Sequence, residues 1–170
     1  KFNFLGSINL SKVDGMSAAK SNDATKFEED GFYSKNALLK LGYKVNNKIA
    51  IETFLNYDDY DFDFDIGAYS DGDQNTGTSN QFRFGIKPSF DYNKGKLYLI
   101  ASVNEVERNT DLLNTFSGTL DNYSYKGRSV NIDLVNKYSF TDNFQFITGF
   151  NYQEHSCWLR STVLPIPIGF

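Results

Sequence analysis

Gln81-Phe82-Arg83-Phe84-Gly85-Ile86-Lys87-Pro88-Ser89-Phe90-Asp91-Tyr92 is the stretch that decides the fold. Phe82, Phe84, Ile86, Pro88, Phe90 and Tyr92 take every second position, and Gln81, Arg83, Gly85, Lys87, Ser89 and Asp91 fill the positions between. Successive side chains of a strand point to opposite faces, so this segment has one oily face and one wet face. Six more stretches follow the same rule. The first, about 2–10, sets Phe2, Phe4, Ile8 and Leu10 against Asn3, Ser7 and Asn9. The second, about 33–45, sets Ala37, Leu39, Leu41 and Tyr43 against Asn36, Lys40 and Lys44. The third runs through Ile49, Ile51, Thr53, Leu55 and Tyr57, with Glu52 and Asn56 on the other side. The fifth carries Leu97, Leu99, Ala101 and Val103. The sixth opposes Val130, Ile132, Leu134 and Tyr138 to Asn131, Asp133 and Lys137, and the seventh opposes Phe144, Phe146, Phe150 and Tyr152 to Gln145, Asn151 and Gln153.

The connections alternate in length. Asn46-Asn47-Lys48, Asn93-Lys94-Gly95 and Thr141-Asp142-Asn143 read as tight turns. Long loops over 12–32, 58–80 and 105–125 are expected to share the opposite edge. The turn centres near 47, 94 and 142 repeat every 47 or 48 residues. A propeller blade can have that period, but it holds four short strands where this chain has two and one long loop. Tight turns at one end, long loops at the other and an aromatic-rich oily face form the pattern of a membrane-spanning barrel wall. The expected fold is all-β: an antiparallel up-and-down transmembrane β-barrel segment of about seven strands, forming an open curved meander with no plug domain.

Composition fits that reading. Hydrophobic residues make up 40% of the 170 residues and mean hydropathy is −0.45, values a hydropathy scan reads as soluble. No run of eighteen apolar residues exists, which excludes a transmembrane helix. Barrel walls escape such scans because lumen-facing residues dilute the average. The 16 Phe and 11 Tyr suit interfacial girdles or a sandwich core. One Cys excludes an intrachain disulfide, and one His removes most metal and nucleophile arrangements. A net charge of −4 with no clustered Lys/Arg face argues against nucleic acid. Paired carboxylates at Asp58/Asp59 and Glu28/Glu29 sit on adjacent positions, which in a strand face opposite ways, so no acid–base pair is expected and the chain does not read as an enzyme.

The two ends differ in charge. Asp58, Asp59, Asp61, Asp63, Asp65, Asp71 and Asp73 fall within sixteen residues that hold no Lys or Arg. Asp14, Asp23, Glu28, Glu29 and Asp30 crowd the preceding long loop. Such runs serve either as solvated, repulsive loops or as oxygen ligands for calcium, which takes six to eight. The EF-hand spacing fails, because Gly67 is the seventh residue from Asp61 rather than the sixth. Parity poses a problem as well. Continuing the third strand places Asp59, Asp61, Asp63 and Asp65 on the oily side, where charge is costly. The nine residues 49–57 already suffice to cross the apolar band. The hairpin must therefore rise above the membrane from about Asp58, or a bulge must switch its register.

Several short segments, in order, resemble TonB-dependent outer-membrane receptors, with the vitamin B12 (cobalamin) transporter branch nearest. Val13-Asp14-Gly15-Met16-Ser17-Ala18-Ala19 and Glu29-Asp30-Gly31-Phe32-Tyr33-Ser34-Lys35-Asn36 are similar to the second extracellular loop of those proteins. Tyr60 to Tyr69, then Thr78-Ser79-Asn80-Gln81-Phe82-Arg83, are similar to the next loop and strand. The resemblance covers about residues 1–155. It implies a segment near the third to ninth strands of a 22-stranded barrel embedded in outer-membrane lipid. In the full-length parent it implies a plug domain, the TonB energy-coupling complex and a small-molecule substrate, cobalamin or a metal chelate. It also implies calcium ordering of two loops, which by motif falls on Asp14, Glu28, Asp30, Asp65 and Asp73. Glu28 replaces an aspartate of that pattern, and Asp73 rests on a gapped match.

The ends of the chain depart from the family. Lys1 begins on a strand already under way, with no Met and no leader, so an internal piece of a longer precursor is expected. After Glu154 another polar loop should begin. Instead the only Cys, the only Trp and two of the three Pro follow, in Cys157, Trp158, Pro165 and Pro167. Closely spaced prolines do not suit a central strand. The expected division is therefore a partial barrel over 1–156 and an atypical tail over 157–170, from a frameshift or truncation, extended or irregular, poorly ordered and not paired along its length with the first strand. A piece of this kind is not expected to work by itself. A small eight-stranded outer-membrane barrel with an adhesion or structural role is the alternative, and a soluble β-sandwich would want shorter loops.

Overall fold

The computed structural model describes residues 1–16, 29–65, 75–114 and 116–165. Seven strands account for most of them: β1 (Phe2–Val13), β2 (Phe32–Lys44), β3 (Ile49–Asp63), β4 (Thr76–Tyr92), β5 (Gly95–Asn114), β6 (Thr119–Thr141) and β7 (Phe144–Pro165). They form one antiparallel sheet in sequence order. Among the described residues β1 and β7 do not pair, so the sheet is open. The alternation of apolar and polar residues sets this order. Each tight turn returns the chain beside the strand it has just left, and no stretch is patterned as a crossover helix.

The tight turns are built from side chains that cap their own backbone. The Asn46 Oδ1 accepts from the amides of Lys48 and Ile49, each at 2.8 Å. At the other end Asn114 Oδ1 accepts from Phe116 and Ser117, both at 3.2 Å, and Gly118 closes the turn at φ +64°. A left-handed residue there costs glycine least, since it has no Cβ to clash.

That second turn corrects the expected loop over 105–125. β5 and β6 instead continue in register from Gly95↔Tyr138 to Asn114↔Thr119. The expected loop over 58–80 shrinks too, since β3 reaches Asp63 and β4 starts at Thr76. The polar sequence there misled because a strand with polar residues on both faces carries no alternation to mark it. Of the two courses expected for the tail, extended or irregular, its described residues take the extended one, and they do not pair with β1. β7 passes Ser156 without a break and pairs with β6 as far as Thr119↔Pro165. Pro165 sits at the last pair, where a missing donor costs least. Pro167 lies outside the described residues. Pro88 shows the cost in mid-strand: the β4–β5 ladder has no pair at Lys87 or Pro88.

Each rung of the ladder can be followed across the sheet. One row on the oily side reads Phe4, Leu41, Thr53, Ile86, Ala101, Ile132, Tyr152. Six rungs toward the long-loop end, on the same face, it reads Leu10, Lys35, Asp59, Asn80, Glu107, Lys126, Trp158. On the five inner strands the row changes within those rungs from apolar residues and a threonine to polar or charged ones. The register of β3 is unbroken through Asp58 with both neighbours, and the irregularity in the sheet lies at Ser139/Thr141 instead. The parity problem thus resolves by extension, with no bulge: the strands run on above the apolar band.

Toward the tight turns the same face ends in aromatic rings. Phe90 stacks with Tyr92 and Tyr92 with Tyr138, with centroids 6.2 and 6.3 Å apart, and Tyr138 meets Phe140 edge-on at 4.8 Å. Gly95 lies beneath the Tyr92 ring, where a Cβ would overlap it, and Tyr92 Oη donates to Asn136 Oδ1 at 2.6 Å. Among the described residues no layer packs against the oily face. Phe4, Ile8 and Phe150 are 74%, 79% and 66% exposed, a state water disfavours in a contiguous patch.

Two unpaired edges and an uncovered apolar face are expected to make the full chain aggregate in aqueous buffer, while detergent micelles hold it as edge-paired oligomers. Size-exclusion chromatography with light scattering checks this. A monomer that unfolds cooperatively without detergent would contradict it.

Candidate functional site

The wet face carries the polar networks. Asp58, on β3, is its most enclosed carboxylate, with the residue 6% exposed. Asn36 Nδ2 of β2 donates to Asp58 Oδ1 at 2.9 Å and to Tyr60 Oη at 3.1 Å. Arg83 Nη2 of β4 donates to Asp58 Oδ2 at 3.0 Å. Lys87 pairs with Glu52 at 3.2 Å on the same face. Further along, Asn151 donates to both Asn131 and Asp133. Neighbouring strands bring these groups together because the parity that aims apolar residues one way aims their neighbours the other. Asp58 and Asp59 accordingly diverge, and Asp59 bonds Lys35 at 3.3 Å on the oily side above the band. That hydrogen bond, helped by the charge of Asp59, raises the Lys35 pKa above its ordinary value.

A hollow of about 440 Å3 on the wet face takes its lining from Asn3, Lys40, Glu52, Phe54, Lys87 and Ile100 among others, and so spans β1 to β5. Glycine makes its depth. The Phe54 ring lies over Gly85, and the Asn3 amide over Gly42, where a Cβ would overlap either. The arrangement offers charged rims around an apolar floor, which can receive a chain segment or an amphipathic molecule.

The acidic end is drawn together only in part. Gly15 packs against the Asp30 backbone so closely that no Cβ would fit, and Asp63 N donates to Gly31 O at 3.0 Å. The ends of β1, β2 and β3 therefore meet in a cleft of about 150 Å3 lined by Asp14, Asp61 and Asp63, among others. Asp14 already pairs with Lys12 at 3.2 Å. Asp65 follows the end of β3, while Glu28 and Asp73 lie outside the described residues. The all-oxygen donors suit a hard cation in chemistry. Among the described residues no group of three or more carboxylates, histidines or cysteines is placed to hold one.

Tyr60, Phe62 and Phe64 pack as rings. Phe32 stacks on Tyr60 at 5.9 Å, Phe62 meets Phe64 at 6.0 Å, and the Arg108 guanidinium lies 5.2 Å from the Phe62 centroid. His155 and Cys157 share the wet face of β7, and Cys157 is exposed with a free thiol. Sequence reasoning placed Asn36 and Arg83 on the wet face but missed their meeting at Asp58. The signal was present in parity: Asp58 is even-numbered, as are the polar residues of its strand. No family model, no curated protein and no solved structure matches this chain.

Proposed function

We propose that this chain is a wall segment of a TonB-dependent outer-membrane receptor that takes up a scarce nutrient, cobalamin or a metal chelate. The observation that carries the reading is the sorting of the two faces. Seven neighbouring strands present an uncovered apolar band about nine residues tall, the span of a tilted strand through hydrocarbon. Rings border it toward the tight turns and ion pairs border it toward the long loops. The wet face, with its charged networks and its hollow, then faces the lumen and the parent's plug domain, whose coupling to the TonB complex admits the substrate. The segment has a positioning role and no catalytic one, and its surrounding partner is outer-membrane lipid with no nucleic acid.

Nitroxide labels placed singly at 81–91 in detergent micelles test this. Oxygen accessibility is expected to peak at even positions and accessibility to a water-soluble nickel complex at odd ones. Equal profiles would overturn the reading. The small eight-stranded barrel with an adhesion role requires one more strand between β7 and β1, the two edges left unpaired.

Calcium belongs to this reading as the ion that orders the acidic loops through Asp14, Glu28, Asp30, Asp65 and Asp73. Adding calcium to the micelle-bound chain is expected to protect segments 14–31 and 64–75 from proteolysis, with Asp30→Ala and Asp65→Ala each removing most of the protection. Cleavage indifferent to chelator would show these loops to be solvated only.

A further inference from the structure

We propose that Arg108, Thr110, Tyr123 and Tyr125 form a subsite for an anionic metal chelate rimmed with oxygens, so that of the two nutrients named above the wall receives the chelate. The inference rests on the barrel-wall reading, which makes the wet face the lumen and the long-loop end its outer mouth. These four side chains line one hollow of about 410 Å3. Register assembles it. Arg108 lies directly across from Tyr125 and Thr110 across from Tyr123, all on the wet face of β5 and β6. The hollow stands beyond the rung of Asp58, Gln81, Val106 and Gly127, on the side of the long loops.

Charge selects the ligand. The Arg108 guanidinium lies 5.2 Å from the Phe62 centroid, a contact that holds it in place and leaves its charge uncancelled. On β3 to β7, from the Arg83 rung outward, the other charged groups of this face are Arg83, Asp58 and Asp121, with His155 on the rung of Arg83. Arg83 and Asp58 offset each other at 3.0 Å. Asp121 lies beyond Tyr123 and accepts from Thr119 Oγ1 at 3.1 Å and Asn114 Nδ2 at 3.4 Å. Glu105, Glu107 and Asp111 take the opposite face, as do Lys126, Arg128 and Arg160. The hollow therefore carries one cation and no carboxylate. Among the described residues none of its four side chains has a hydrogen-bond or ion-pair partner, whereas Asn36, Asp58 and Arg83, and Gln81 with Asn104, are joined nearby. A guanidinium has donors only, and three hydroxyls beside it can donate as well. Carboxylates and similar oxyanions accept from such a set and cancel its charge. A neutral ligand rimmed with amides would leave that charge unmatched.

Cys157 is the only cysteine, is exposed on the same face, and pairs with Gly127, two residues from Tyr125. A trifluoromethyl tag on its thiol reports the hollow by fluorine NMR, with the full chain held in dodecylphosphocholine micelles. The probes are gadolinium DOTA, an anion, and its neutral analogue in which a hydroxypropyl arm replaces one carboxylate. Metal and paramagnetism are the same in both. Broadening of the tag is expected to saturate with the anion and to rise only linearly with the neutral chelate. Arg108→Gln should raise the half-point by about tenfold, from the loss of one charged hydrogen-bonding group. Arg108→Lys should recover part of that loss, and Arg160→Gln, on the opposite face, should leave the half-point unchanged. Linear broadening with both chelates, equal saturation with both, or an unaltered half-point in Arg108→Gln overturns the proposal. The oxygen and nickel scan of 81–91 separates the two levels. Alternation there without saturation sinks the subsite alone, and loss of alternation sinks the wall reading together with the nutrient assignment.

Discussion

On the proposed barrel-wall reading, Ile86→Arg is expected to destabilise the micelle-bound chain by about 2–4 kcal/mol, the cost that reading assigns to an arginine turned toward mid-bilayer hydrocarbon. Ile86 lies between Thr53 and Ala101 in a row with no charged member from Phe4 to Tyr152. Its guanidinium would have no carboxylate within its own row and would have to reach past several rungs to water. Ser129→Arg provides the contrast. Ser129 pairs with Asn104 and His155 on the wet face, where an arginine stays hydrated, and a change within about 1 kcal/mol is expected. Urea unfolding in micelles, followed by circular dichroism, reads both. Equal losses at the two positions would mean that both faces meet the same solvent, which no barrel wall permits.

Arg83→Leu is expected to cost about 2–3 kcal/mol through Asp58. The Asp58 side chain is 8% exposed and would keep Asn36 as the polar partner in this network, leaving a carboxylate enclosed without its cation. The Arg83 side chain is 44% exposed, so part of its charge is screened and the full cost of a broken interior pair does not apply. Asp58→Asn in the Arg83→Leu background removes the stranded charge and is expected to recover more than half of the loss. A denaturation midpoint that does not move in the single variant would show the pair to be an ordinary surface contact.

The alternation that announces these strands also marks where it stops being informative. Within the apolar band a strand must show an oily side to its surroundings, so Phe82 to Phe90 declare themselves residue by residue. Beyond Tyr57 and Val103 both faces meet polar surroundings, and Asp58 to Asp63 or Glu105 to Asn114 read as loop although they are strand. Their backbone pairing is the same, but no difference between the faces remains to leave a pattern in the sequence. A weaker signal was present in Asn114 and Gly118, a capping amide and a left-handed glycine four residues apart. It was obscured by the length of polar chain around it.

By itself the sequence determined the all-β class, the strand order and the face each residue takes, because a period of two and short Asn-rich turns leave few alternatives. The tertiary structure alone decided how far the strands extend, and which charges meet across them. Asp58 finds Arg83 and Asn36, and Glu107 finds Lys126, only when the register between strands is set. Those partners stand twenty or so residues apart along the chain, and nothing in a local pattern measures that distance. A slip of one residue would send every one of them to the opposite face, so register, a property of paired strands, is what turns scattered charges into networks.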